Sequence, residues 1–137
     1  MLNLDGTLWD HEDASRLVPP YEFHGDCLTD AHGDGLHLFP GVREFLEWTS
    51  WRFLLTIVSW NVGERVRPIL EGFGLWDYFT FPKIGGHPNK ADMIRRTLEE
   101  LASIGYNVED IIYVDDRGIY VDEVRMTLPE VDLSTCW

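Results

Sequence analysis

Residues 1–10 are MLNLDGTLWD, that is Met1-Leu-Asn-Leu-Asp5-Gly-Thr-Leu-Trp-Asp10, and the role given to this stretch decides the fold. Met1 to Leu4 reads as a short strand that ends at the polar run Asp5-Gly6-Thr7. Asn3 and Asp5 are two residues apart, so on a continuing strand their side chains point the same way. Gly6 allows a sharp turn directly after them. A strand at the very start, closed by an acidic turn, is the expected opening of a chain in which strands and helices alternate.

That alternation continues outward. "RFLLTIVSW" (52–60) is rich in apolar and β-branched residues, as expected of a strand covered on both faces. "NVGERVRPILEGFGL" (61–75) predicts a helix that accommodates Pro68 and stops near Gly72 or Gly74. A short strand "YFTF" (78–81) and the loop "PKIGGHP" follow. Asn89 is placed to cap the helix "KADMIRRTLEELASIG", with Lys90 in its first turn. "DIIYVDD" (110–116) predicts a buried strand ending in two carboxylates, and "VDLST" a last short strand. Earlier, "PGVREFLEWTSW" (40–51) keeps helical spacing through Val42, Phe45, Leu46 and Trp48 or Thr49. The pattern predicts one α/β domain over residues 1–137, with a parallel sheet and helices on both faces.

Residues 10–40 break the rhythm. "YEFHGDCLTDAHGDGLHLF" (21–39) predicts a hairpin turning at "DAHGDG". Asp30, Asp34 and Gly35 have some spacing of a calcium loop, but position 32 is His32 and the twelfth position is Gly41, so a plain turn is the expectation.

The 24 acidic against 11 basic residues give a formal net charge of -13, which repels a polyanion, and no Lys/Arg cluster offers nucleic acid a landing stripe. No apolar run reaches the roughly 18 residues of a membrane span. Cys27 and Cys136 lie far apart without ligand spacing, consistent with free thiols in a reducing compartment. The first residues read as strand rather than leader, so the expected location is cytoplasmic.

In parallel sheets, ligands collect outside the carboxyl ends of the strands. Asn3, Asp5, Ser59, Asp115 and Asp116 all fall there, and Lys90 joins them from a helix start. Two adjacent acids repel unless a cation or hydrogen-bond donors compensate, and Mg2+ takes one or two carboxylates plus substrate phosphate and water. Helix capping by Asp116 with Asp115 in solvent is the structural alternative. Ser59 and the N–H after it could hold a phosphate oxygen. Lys90 could neutralise phosphate charge beside the free N–H groups of its helix; Lys83 is its rival. A carboxylate at position 3 could attack phosphorus while Asp5 protonates the leaving oxygen. Trp9, Trp60 and His87 are expected near the mouth, where rings stack on a leaving group or pack at the rim.

The order Asn3-Leu-Asp5-Gly6-Thr7-Leu8, then Ser59, Lys90 and Asp115-Asp116, resembles the haloacid dehalogenase (HAD) superfamily over essentially the whole chain. Its first motif is DxDGT. More narrowly, "LDGTLWD", the 21–46 stretch and "IVSWN" (57–61) resemble the magnesium-dependent phosphatase-1 family, small HAD phosphatases without a large cap. The resemblance implies a three-layer Rossmann-like core with a parallel sheet, and a β-hairpin flap at about 10–40 in place of a cap. It implies an Mg2+-dependent hydrolysis of phosphate monoesters, phosphotyrosine-like or phospho-sugar, on a phosphorylated small molecule or a phosphoprotein. Position 3 would be the aspartyl nucleophile and Asp5 the acid/base, its carbonyl on the metal. Ser59, Trp60, Asn61 and Lys90 would bind the phosphorylated group. Position 3, Asp5 and Asp115 would hold Mg2+, with Asp116 assisting from behind.

Two departures stand out. "DDRGIYVDE" (115–123) lacks the Asn that family members often carry after the acid pair. Asn3 occupies the nucleophile position, and a carboxamide is a poor nucleophile without charge for Mg2+. With the remaining motifs intact, Asn3 reads as a replacement of Asp that leaves this chain inactive. The alternative is a non-catalytic phosphate- or partner-binding homologue. A receiver-like signalling domain also uses acids, a hydroxyl and a lysine, but there the acid pair comes early, whereas here it follows Lys90.

Overall fold

The computed structural model describes residues 1–86 and 89–129, and the backbone of 132–135. His87 and Cys136 lie outside the described residues. In chain order, the elements are β1 (Glu22–His24), β2 (Cys27–Thr29), β3 (Gly35–His37), α1 (Val42–Ser50), β4 (Val58–Ser59), α2 (Gly63–Gly72), β5 (Lys83–Ile84), α3 (Lys90–Ser103), β6 (Asp110–Tyr113), α4 (Gly118–Thr127) and β7 (Asp132–Thr135). The architecture is mixed α/β, with a small parallel sheet and a small antiparallel one.

β4 pairs with β5 and β6 with β7, both in parallel. Leu2 forms parallel bridges to Ile57 on one side and Val114 on the other. The amino-terminal segment therefore lies between the two ladders, where Leu2 N donates to Thr56 O and Asn3 N to Val114 O, both at 2.9 Å. Side chains alternate along such a segment. Leu2 and Leu4 pack with Leu55 and Ile57 against Leu46 of α1 and Val66, Ile69 and Leu70 of α2. Val58, Ile111 and Tyr113 belong to a second cluster with Ala91 and Ile94 of α3 and Val121 and Val124 of α4. Asn3, between the two leucines, is thereby turned away from the first cluster.

The predicted helices form, and Asn89 caps α3 by accepting from Asp92 N. Pro68 sits inside α2. No helix among the described residues is long and apolar enough to cross a membrane.

Several local expectations change. The 21–39 region has two turns, because β1, β2 and β3 form a three-stranded antiparallel sheet and the chain also reverses at Gly25-Asp26. The Asp30 turn is held by its own carboxylate, which accepts from the N–H groups of Val18, His32 and Asp34 at 2.8–2.9 Å. Those backbone bonds depress the Asp30 pKa and occupy its oxygens. "YFTF" is not a strand: residues Trp76–Tyr78 form a 3-10 turn and Phe79 makes one bridge to Leu55. On α1, Phe45 and Trp48 face solvent, leaving Val42, Leu46 and Thr49 buried. Ile112 is exposed, so β6 alternates rather than being covered throughout.

The antiparallel sheet is fastened to α2 through a close approach at Gly72. A Cβ there would lie 2.0 Å from the Phe23 ring, so only glycine lets β1 pack this tightly. Phe23 also meets Phe73 edge-on at 5.0 Å, and Arg43 of α1 binds Asp26 at 2.6 Å.

Candidate active site

Asn3 stands at the centre of the polar cluster. Its Oδ1 accepts from Ser59 Oγ at 2.9 Å and from Lys90 Nζ at 3.1 Å. An ammonium can only donate, so this contact fixes the amide orientation. Nδ2 therefore points the other way, donating to Asp5 O at 2.9 Å and Asp116 Oδ1 at 3.1 Å. Two oxygens thus converge on one point, and the amide N–H2 fills it. An oxygen in place of that nitrogen would complete a set of hard donors of the kind that Mg2+ prefers. As it stands, the chain offers two of the three.

The acid pair divides. Asp115 is fully buried and ion-paired to Lys90, itself 2% exposed. Its Oδ2 also accepts from the Tyr113 hydroxyl, and its Oδ1 from Arg117 N at 3.0 Å. Burial raises the Tyr113 pKa far above the usual tyrosine range, with Asp115 adding to the shift. Burial also lowers the Lys90 pKa, against the pull of Asp115. Asp116 is exposed and faces Asn3 and Thr7. Gly6 makes room for it: a Cβ there would lie 2.5 Å from Asp116 Oδ2, and φ is +68°. Such a φ is costly for other residues.

Asp5 is held on both oxygens. Oδ1 accepts from Trp9 Nε1 at 2.7 Å and Ala14 N at 3.1 Å; Oδ2 accepts from Asn61 Nδ2 at 2.6 Å. Asn61 is oriented in turn by Ser59, whose Oγ lies 2.6 Å from Asn61 Oδ1. Ser59 has one proton for two acceptors, Asn61 and Asn3, and also accepts from Leu4 N at 3.3 Å.

Asn3, Asp5, Gly6, Lys90 and Asp116 line a cavity of about 410 Å3. Phe39, Trp60 and Tyr120 supply aromatic wall, with Asp10, His11, Glu12 and Arg117 around them. Lys90 Nζ lies 4.7 Å from the Tyr120 ring centre and 5.5 Å from that of Trp60, within range of a cation–π attraction. Trp60 packs on Tyr120 at 4.6 Å, and its buried Nε1 has no partner among the described residues.

Of the residues read from the sequence, Asn3, Asp5, Lys90, Trp60 and Asp116 meet at the cavity. Ser59 and Asn61 lie directly behind it, buried. Asp115 is not among the lining residues, and Lys83 is engaged with Glu100 at 2.7 Å. Trp9, expected at the mouth, is fully buried behind Asp5. Arg117 and Tyr120 were missed; their signal was position, Arg117 directly after the acid pair and Tyr120 one helical turn further on. No protein-family model matches this chain, and a search of curated proteins finds no match to it.

Proposed function

We propose that this chain is a magnesium-dependent phosphatase of the HAD type, with a three-layer Rossmann-like core and the 10–40 flap in place of a cap, whose nucleophile position carries Asn3. The observation that carries this reading is the hold on Asn3. One end of its amide is gripped by Ser59 and Lys90, and the other lies between Asp5 O and Asp116 Oδ1. That is where an attacking carboxylate would need its charge stabilised on one side and a metal on the other.

Mg2+ would be held by Asp5 O, Asp116 and a carboxylate oxygen at position 3, and would neutralise charge on the phosphoryl oxygens. Asp116 is preferred to Asp115 as ligand because both Asp115 oxygens are taken by Lys90, Tyr113 and Arg117. Lys90 supplies positive charge at the phosphoryl group, and Asp115 keeps that ammonium in place. Ser59, buried behind the cavity, steadies position 3 and Asn61, and Asp5 gives the leaving oxygen its proton. Asn3 cannot supply the attacking oxyanion, so the chain as it stands binds without turnover. The cavity, with Phe39, Trp60 and Tyr120 in its wall, suits phosphate monoesters with an aromatic or sugar leaving group.

The test is Mg2+-dependent phosphate release from p-nitrophenyl phosphate by this chain and by Asn3→Asp. A non-catalytic phosphate-binding homologue is the second reading, favoured by the self-contained bonding of the Asn3 amide, which satisfies Asp5 O and Asp116 without a cation. Tight phosphopeptide binding without turnover in Asn3→Asp would select it.

A further inference from the structure

Asp5 lines the cavity, whereas Trp9, Ala14 and Asn61, which hold its carboxylate, do not. The three donors are unevenly placed. Oδ1 takes two N–H groups, from Trp9 and Ala14, which use both of its lone-pair directions. Oδ2 takes one, from Asn61, and keeps a lone pair. Oδ2 is therefore the Asp5 oxygen left with a direction free for another group.

Trp9 is itself packed into the core. Its side chain is fully buried, its backbone bridges Leu38 at the base of the antiparallel sheet, and Gly6 N donates to its carbonyl at 3.0 Å. Ala14 begins a 3-10 turn capped by Asp13, and the next residue, Ser15, accepts from Val62 N at 2.7 Å. Both donors are thus tied to the flap and to the start of α2 rather than to the cavity.

We infer that Trp9 and Ala14 are positioning residues that anchor Asp5 by Oδ1 and so present Oδ2 to the leaving group; this rests on the phosphatase reading above. In the step concerned, a position-3 carboxylate oxygen bonds to phosphorus as the bond to the leaving oxygen breaks. The bonding pair departs with that oxygen, which takes the proton from Asp5 Oδ2. A freely rotating carboxylate would offer that proton in the wrong direction for part of the time.

The anchor matters most where the leaving group is a strong base. An alkoxide needs the proton; p-nitrophenolate needs it far less. The experiment is done on Asn3→Asp with Mg2+, measuring kcat/KM for glycerol phosphate and for p-nitrophenyl phosphate, then adding Trp9→Phe or, separately, Ala14→Pro. Ala14→Pro replaces the N–H with a ring CH2, which deletes the donor and crowds Asp5 Oδ1, at a first-turn position whose backbone suits proline. The ratio of the two kcat/KM values is independent of the fraction of protein folded. Each variant is expected to lower the glycerol to nitrophenyl ratio by roughly tenfold or more, part of the usual general-acid contribution. A ratio kept within about twofold in every variant that retains activity would overturn the inference, since loss of structure alone lowers both values together. Should Trp9→Phe fail to fold, Ala14→Pro decides. If Asn3→Asp itself hydrolyses neither substrate, the phosphatase reading fails instead, so the two failures are distinct.

Discussion

Asp115 and Asp116 are neighbours in sequence and opposites in environment. Asp115 is sealed among Lys90, Tyr113 and the Arg117 N–H, while Asp116 stands in the cavity facing Asn3 through a gap left by Gly6. The difference separates two tasks that a single acidic pair suggests together. One carboxylate holds a buried lysine in place; the other presents oxygen to the site. Substitutions at the first should be read in stability, and at the second in function.

The largest effect expected is from Asp115→Ala, which strands the Lys90 ammonium in the interior and should cost about 3–5 kcal/mol in urea unfolding. A cost under about 1 kcal/mol would mean that Lys90 finds another partner. Tyr113→Phe removes a donor to a charged acceptor, at about 1.5–3 kcal/mol. It also carries a pH signature. The folded state raises the Tyr113 pKa from the ordinary 10.0, so above about pH 10 the unfolded chain releases a proton that the folded chain keeps. This contribution is complete below pH 10 and is lost as pH rises further. Lys90 acts oppositely: lowered by burial, it lets stability rise with pH up to its ordinary 10.5. Unfolding free energy followed from pH 9 to 11 should therefore fall less steeply in Tyr113→Phe than in the parent.

Gly6→Ala touches the other side of the comparison. The positive φ and the overlap with Asp116 should cost about 1–3 kcal/mol and, in the Asn3→Asp background, weaken Mg2+ dependence by displacing Asp116. Asp116→Asn should be the mildest for the fold, within about 0.5 kcal/mol as for most exposed positions. In the same background it should nevertheless abolish most Mg2+-supported activity, measured by titrating the metal. Equal losses of stability at Asp115 and Asp116 would dissolve the distinction.

Much of the site was legible in sequence because its residues end apolar runs or begin helices. Asn3 and Asp5 close the first strand-like segment, Ser59 closes β4, and Asn89 announces α3 with Lys90 in its first turn. What the sequence hid depends on contacts between distant elements. Lys90 reaches from α3 to the end of β6, 25 residues on, and only that contact tells Asp115 from Asp116. Trp9 looked like a mouth residue because it follows the acidic turn; the backbone folds back instead, with Trp9 bridging Asp5 and Leu38. The second turn of the antiparallel sheet was masked because Gly25-Asp26 is short and sits between apolar residues that also suit one longer strand. "YFTF" has strand-like residues, yet the 3-10 turn at Trp76–Tyr78 packs against α2 and leaves only Phe79 to bridge.

The central claim is that position 3 is where phosphorus would be attacked. Its most direct test is phosphate release from p-nitrophenyl phosphate with Mg2+ or EDTA, comparing this chain with Asn3→Asp. The account predicts no release above background from the chain as it stands. It predicts a rise of at least about a thousandfold in Asn3→Asp, the scale expected when a missing nucleophile is supplied, and its loss with EDTA. A folded Asn3→Asp protein that releases no phosphate with Mg2+ would contradict it.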